Sequence, residues 1–246
     1  MKPIRPTGKQ GMWNLYKMGG IAPAFTSMFD PRSAQHMAFI RSMMKEQRKE
    51  SMYEIRLQEM EAVVFDLETT GFSPYHGDEI IAVGAVAVKG GVVLEEETFY
   101  STVQCSRKIP EDVIRLTGIT NEMAAASPDL LDVLSRFLAF VHRRVLIAHG
   151  TGHDKPFLRS ALWKTSKTAL THRIVDTMML GKWLHPGMPH YGLDILLEKY
   201  SIRAENRHHA LADSLMTAQL WAGMLALMAE KNVLTLGDLY AHLSQR

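Results

Sequence analysis

From residue 61 onward, apolar positions fall into short continuous runs and longer amphipathic stretches. "AVVF", "IIAVGAVAV" and "VVL" have the length and β-branched content of buried strands. They predict strands over 61–67, 79–88 and 92–102. Lys89-Gly90-Gly91 separates the last two and predicts a hairpin, because glycine supplies the positive φ of a tight turn. Helical periodicity follows at 110–116 and 128–142. "RRVLIAHG" is a short buried strand ending near His149, and a helix runs over 154–164. "HRIVDTMMLGKWL" is a strand and then a helix. "GLDILLEKY" and "HALADSLMTAQLWAGMLALMAEK" are helices, the second long, and a short helix over 235–244 closes the chain. Early strands followed by helices that alternate with short strands predict an α/β domain with a mixed sheet.

Upstream the pattern changes. Residues 1–32 are rich in Gly and Pro, with scattered aromatics and no clear period. "SAQHMAFIRSMMKEQRKE" over 33–50 predicts a helix with a narrow apolar stripe of Met37, Ile40, Met43 and Met44. Its last turns carry Arg41, Lys45, Arg48 and Lys49. Two uses of this helix are open: the basic residues contact nucleic acid or a partner, or the methionine stripe packs as core. The organisation read here is a basic, partly helical extension over 1–52 and a compact domain over 53–246.

Composition adds little until it is read locally. The 246 residues are 46% hydrophobic and 22% charged, with a net charge of +2, which suits an ordinary globular protein. Residues 1–60 hold ten Lys/Arg and five Asp/Glu, a net of +5, so the remainder is slightly acidic. The single cysteine, Cys105, allows no intrachain disulfide and points to a reducing, cytoplasmic setting. No apolar run approaches the roughly 20 residues that span a bilayer, and "MKPIRPTGKQ" lacks the apolar core of a secretory signal. No membrane partner is expected.

The candidate chemistry lies in acids at apolar places. Asp66 and Glu68 end the first strand in "AVVFDLETTGF". Two residues apart on a strand, they share a face. Ionised together there, they repel and lose hydration. A hard divalent cation, Mg²⁺ or Mn²⁺ rather than zinc, would remove that cost; a solvated strand end is the bland reading. Asp154 opens a helix after the strand "VLIAH". Asp213 sits early in the long helix among Ala210, Leu211, Ala212 and Leu215. His208, five residues before Asp213, would lie about 140° away on a continuous helix. It therefore belongs in the loop before the helix, where it can lean over the same site, with His209 as the helix-start residue.

These residues resemble the motifs of the DEDDh 3′–5′ exonucleases, a family that includes the proofreading subunit of bacterial DNA polymerase III, oligoribonuclease and ribonuclease T. "FDLETTGFSP" is similar to the first motif, "LIAHGTGHDKPFL" to the second and "HHALADS" to the third. "IIAVGAVAV" and "IRLTGITNEM" stand where the family has its second strand and a helix and turn. The resemblance covers about residues 61–225. Two positions depart from the pattern: Gly150 stands where the family has Asn, and His153 where it has Phe. Both put loop rigidity and substrate fit in question, and neither is a ligand position.

The resemblance implies a ribonuclease H-like mixed sheet flanked by helices, here with an N-terminal helical extension. It implies that Asp66, Glu68, Asp154 and Asp213 hold two divalent ions, Mg²⁺ or Mn²⁺, and that His208 acts as general base. Histidine's ordinary pKa near 6.5 suits that role at neutral pH. It also implies contacts to the terminal nucleotide from Thr69, Thr70 and Gly71, partly through backbone, with a purely structural turn as the equal alternative. Phe157 is a base-stacking candidate, with helix core as its bland reading. The substrate would be a single-stranded 3′ end, DNA first and short RNA as the alternative, shortened to nucleoside monophosphates. An inactive binding module is the third reading, opposed by the presence of all four acids and the histidine. Through its extension the chain would meet a DNA polymerase or a second copy of itself.

Overall fold

The computed structural model describes residues 31–47 and 52–244. The Gly/Pro-rich start and the basic residues Arg48 and Lys49 lie outside the described residues. Residues from His36 onward form a compact unit that carries the sheet.

Five strands, β1 (Glu61–Thr69), β2 (Ile80–Lys89), β3 (Val92–Thr102), β4 (Val145–Ala148) and β5 (Ile174–Asp176), form one sheet in the order β3-β2-β1-β4-β5. β1 pairs antiparallel with β2 and β2 with β3, whereas β4 and β5 run parallel to β1. β1 is therefore central, and its carboxyl end opens between a parallel and an antiparallel neighbour. The helices are α1 (Pro31–Gln47), α2 (Glu111–Thr117), α3 (Asn121–Ala125), α4 (Leu130–Val141), α5 (Asp154–Ser166), α6 (Thr177–Leu184), α7 (Leu193–Lys199), α8 (Ala210–Glu230) and α9 (Leu236–Ser244). Only the five-residue α3 is new relative to the sequence pattern. It is too short to show a period, and the Thr120 hydroxyl caps it by accepting from the Met123 amide.

Both faces of the sheet are covered, which is why its inner strands read as unbroken apolar runs. Alternation on β1 sends Ala62 and Val64 into one cluster with Trp221 and Met224 of α8. It sends Val63, Phe65 and Leu67 into another with Phe137 of α4 and Phe157 and Leu158 of α5. Ile40, Met43 and Met44 of α1 are buried in that second cluster, and Arg41 Nε donates to the Ser166 carbonyl at 2.8 Å. Three of the four stripe residues on α1 are thus packed as core, while Met37 is half-buried outside that cluster. α8 is, by length and composition alone, apolar enough to cross a membrane, contrary to the sequence expectation. Its apolar side chains are used here against the sheet, with Leu220, Trp221 and Met224 fully buried.

Two glycines set this geometry. Gly90 has φ +56° in the β2–β3 turn, and its carbonyl accepts from the Trp221 indole at 2.8 Å. Gly84 on β2 lies opposite Asp66 of β1, and a Cβ there would overlap the backbone of Ala210 and Leu211. The missing side chain lets the start of α8 rest directly on the sheet, where Ser214 Oγ donates to the Gly84 carbonyl at 3.0 Å. Gly84→Ala is expected to destabilise the fold by about 1–3 kcal/mol through overpacking and to lower activity by pushing α8 off the sheet. Urea unfolding with a parallel nuclease assay checks this; an unchanged midpoint would mean that α8 does not need the close approach.

Candidate active site

The site forms where three chain segments end near the carboxyl edge of β1. Asp66 and Glu68 leave β1 on its α8 face, as their two-residue spacing requires. A register irregularity between Glu68 and Thr69 ends the regular pairing there, a common device beside functional sites. Asp213 comes from the first turn of α8, brought in by the contact at Gly84. Carboxylate oxygens of Asp66, Glu68 and Asp213 lie within 4.8 Å of one another. Asp154, the first residue of α5, is 2% exposed and close enough to Asp66 to raise its pKa.

Such crowding leaves these acids poorly served by the protein alone. Asp154 Oδ1 and Asp213 Oδ1 are buried without a hydrogen-bond partner among the described residues. Burial first, then the charges of Asp154, Glu68 and Asp213, push Asp66 well above the ordinary carboxylate range. Burial and the charges of Asp213 and Asp154 raise Glu68 to about 8. Burial also raises Asp154 to about 8, against the pull of its own amide and that of Leu67. Converging hard oxygen donors with buried, unpartnered lone pairs fit a divalent cation; their arrangement makes an acidic metal-binding cluster.

His208 lines the same pocket as Asp66, Glu68 and Asp213. It sits before α8 at φ +65°, and its backbone N–H donates to Asp213 Oδ2 at 3.2 Å. A non-glycine residue in the left-handed region stores strain of the kind found at functional sites. His209 turns away. It caps α8, its Nδ1 accepting from the Ala212 amide at 3.4 Å, and its ring stacks on Tyr100 with centroids 4.6 Å apart.

The Thr-Thr-Gly turn divides its duties. Thr69 and Gly71 line the pocket. The Thr69 hydroxyl donates to the Gly71 carbonyl at 2.7 Å and lies 3.1 Å from His153 Nε2. Gly71 is glycine for the loop's own packing, since a Cβ would overlap the Asp78 carboxylate. Two of the expected contact residues have structural partners of their own. Thr70 is 3% exposed and its hydroxyl donates to Asp78 Oδ1 at 3.1 Å, so it braces the loop. Phe157 is 2% exposed in the core beneath the sheet, because it falls on the inward face of α5.

Both departures from the family pattern have local accounts. Gly150 has φ +70°, a conformation that Gly adopts freely and Asn tolerates; its N–H donates to Asp176 Oδ1 at 3.0 Å. His153 sits between Phe72 and Phe157, at centroid distances of 5.5 and 4.9 Å. It keeps the aromatic packing while its polar edge meets Thr69, and burial lowers its pKa, favouring the neutral ring.

Sequence reasoning missed Arg207. Its guanidinium pairs with Asp213 Oδ2, and its Nε donates to Asp194 Oδ1 on α7 at 2.6 Å. Burial disfavours its charge, but Asp194 and Asp213 more than offset that and hold it above its ordinary value. The available signal was a basic residue immediately before the third motif. His149 was missed as well: it lines the pocket, with Nδ1 2.9 Å from Thr177 Oγ1.

The geometry agrees with what comparison finds. The chain is 35% identical over 178 residues to the PolC-type DNA polymerase III of Bacillus subtilis (strain 168), covering 72% of this chain and 12% of that protein. It is 35% identical over 184 residues to the PolC-type enzyme of Clostridium perfringens (strain 13 / Type A), covering 73% and 12%. The chain thus spans about an eighth of the length of these relatives. Among solved structures, exonuclease X in complex with 5′-overhanging duplex DNA matches with a TM-score of 0.55 at 22% identity, over 70% of this chain and 93% of that one. Exonuclease I of E. coli in complex with a dT13 oligonucleotide matches with a TM-score of 0.60 at 16% identity, over 71% and 43%. The nuclease domain of 3′hExo, a DEDDh family member bound to rAMP, matches with a TM-score of 0.57 at 20% identity, over 75% and 96%. At these identities the structures establish the fold. The exonuclease family of ribonuclease T matches residues 63–221, more than half of the chain, and the chain therefore belongs to the DEDDh 3′–5′ exonucleases, enzymes that act on nucleic acid.

Proposed function

We propose that the domain removes nucleoside monophosphates from the 3′ ends of single-stranded DNA, using Mg²⁺ or Mn²⁺. The observation that carries this reading is the convergence of Asp66, Glu68 and Asp213 within 4.8 Å, beside the buried Asp154 and in a pocket that His208 also lines. Asp66, Glu68, Asp154 and Asp213 would hold two ions, which supply a more acidic water and neutralise charge on the scissile phosphate. His208 takes the proton of the attacking water. Its position outside α8 leaves the ring free to reach solvent that the buried acids exclude. Thr69 and Gly71, on the pocket wall, orient the terminal nucleotide. Val113 and Leu116 of α2 offer an apolar wall to its base.

DNA is favoured over RNA because the most similar relatives named above are DNA polymerases. The same relatives favour a polymerase as partner, with a second copy as the alternative, in the cytoplasmic setting that the single cysteine suggests. Residues 1–52 are the proposed extension for that contact, or for added affinity for nucleic acid, with Arg41 and Lys45 exposed on α1. Incubation with 5′-labelled single-stranded DNA and RNA of one sequence, with Mg²⁺, Mn²⁺ or EDTA, tests the reading. Stepwise shortening of DNA that EDTA stops is expected. Faster turnover of RNA would favour the exoribonuclease alternative, and binding without turnover would favour an inactive module.

The metal requirement also has a thermodynamic signature. Glu68 and Asp154 are raised from ordinary values of 4.5 and 3.8 to about 8. Between those limits the folded chain without metal binds protons that the unfolded chain has released, so its stability falls as pH rises from about 4 to 8. Divalent ions bind the carboxylates and compete with those protons, so their stabilising effect grows over the same window. Melting temperatures in EDTA should therefore drop between about pH 5 and pH 8, while the increment from Mn²⁺ increases. An increment independent of pH would argue against these acids as the ligands.

A further inference from the structure

The active-site pocket accounts for one end of α5, where Asp154 lies, but not for the rest of that helix. Lys155, Arg159 and Trp163 recur every four residues on its exposed side, one stripe with a rise of about 6 Å per step. Lys167, just past the helix end, continues the stripe, and Lys164 lies about 100° round from Trp163. Apart from the buried Asp154, α5 has no acidic residue. Among the described residues none of the four cations forms an ion pair. Trp163 is 62% exposed, with Lys167 Nζ 5.9 Å from its ring centroid. Opposite stands Tyr75 of the β1–β2 loop, 67% exposed.

Between them runs a groove of about 510 Å³, lined by Tyr75, Arg159, Trp163 and Lys164 and by no acidic residue. Its loop wall is pinned. Asp78 accepts from Arg107 Nη1 at 2.6 Å and from the Ser73 amide at 2.9 Å, and Ser160 Oγ donates to the Pro74 carbonyl at 3.3 Å. Two flat aromatic faces and two free cations on a fixed wall are the elements that hold single strands without regard to sequence: stacking for bases and positive charge for phosphates.

We propose that this groove is a track for the single strand on the 5′ side of the nucleotide being removed. The proposal deepens the functional reading above and rests on it. Trp163 lies nine residues along α5 from Asp154, about 14 Å at the helical rise. A strand whose 3′ end occupies the acidic cluster can follow the Lys155–Arg159–Trp163 stripe, with bases against Trp163 and Tyr75 and phosphates against Arg159 and Lys164. The track reads neither base edges nor the sugar, so it treats DNA and RNA alike.

The test compares the full-length wild type with Trp163→Ala and with Arg159→Ala/Lys164→Ala, on a trinucleotide and on a twenty-nucleotide strand, each in deoxy and ribo form. All three positions are exposed, and melting temperature checks folding of each variant. Trp163→Ala should weaken binding of the long strands by about 5- to 150-fold, while metal-dependent turnover of the trinucleotide stays at the wild-type level. The double variant should reduce the slope of log affinity against log salt by about 1.4, or 0.7 for each lost phosphate contact. Wild-type affinity and salt slope for long strands in both variants would overturn the track while leaving the exonuclease reading intact. Equal losses on the trinucleotide would also overturn it, by placing the effect in the catalytic pocket. Failure of the wild type to shorten any strand would instead remove the reading on which the track rests.

Discussion

Asp154→Ala is expected to abolish metal-dependent shortening of single strands, with a loss of at least roughly 100- to 1,000-fold, the scale of removing one transition-state stabiliser from a dry site. The residue is 2% exposed, and its Oδ1 makes no hydrogen bond within the described residues; what the fold draws from the carboxylate is its contact with the amides of Asp154 and Leu67. Its carboxyl also adds to the strain of the cluster: its charge raises the pKa of Asp66 and Glu68. Alanine relieves that repulsion and the desolvation of Asp154 itself. The variant should therefore melt at the wild-type temperature or above in EDTA at about pH 8, and gain less stability from Mn²⁺. Lost activity with retained or improved stability separates a ligand from a structural residue. Turnover like the wild type at saturating Mg²⁺ would remove Asp154 from the site.

The adjacent histidines supply the second large effect. His208→Ala should reduce the turnover number by about 10²–10⁴-fold, the range for removing a general base. His209→Ala should leave it within a few-fold. The two rings face different surroundings: His208 lines the acidic pocket, whereas His209 caps α8 and stacks on Tyr100. His209→Ala should instead cost stability, on the order of 1 kcal/mol for a lost helix cap. Turnover numbers and urea midpoints for both variants make a crossed comparison, each acting as control for the other. If His209→Ala were the variant with crippled turnover, the roles would be reversed and the third motif misread by one residue.

How much of this was legible in advance follows from the range of the forces involved. Periods of two and about three and a half residues are local, so the strands, the helices and the Gly90-Gly91 hairpin could be read from the chain. So could the shared face of Asp66 and Glu68 on β1. Helical geometry alone placed His208 in the loop before α8. Other features depend on contacts between residues far apart in sequence. Asp213 reaches Asp66 because Gly84 lies opposite Asp66 and admits the backbone of α8, a coincidence of register and close approach that no local pattern reports. Phe157 and Thr70 looked like substrate contacts by motif position. The inward face of α5 and the Asp78 brace make them core and loop support.

The methionine stripe on α1 was equally ambiguous. An apolar face at helical spacing states that something will cover it, and the fold decided that α4 and α5 do. Arg207 shows the limit most plainly. Its charge is visible in the sequence, but its pairing with Asp194, 13 positions earlier, and with Asp213 exists only once α7 and α8 lie side by side. By itself, then, the sequence determined the order of elements and the identity of the acids, because backbone geometry and side-chain chemistry act over a few residues. The tertiary structure decided which acids share one cluster and which aromatics stay exposed, because burial and Coulomb interactions act through space.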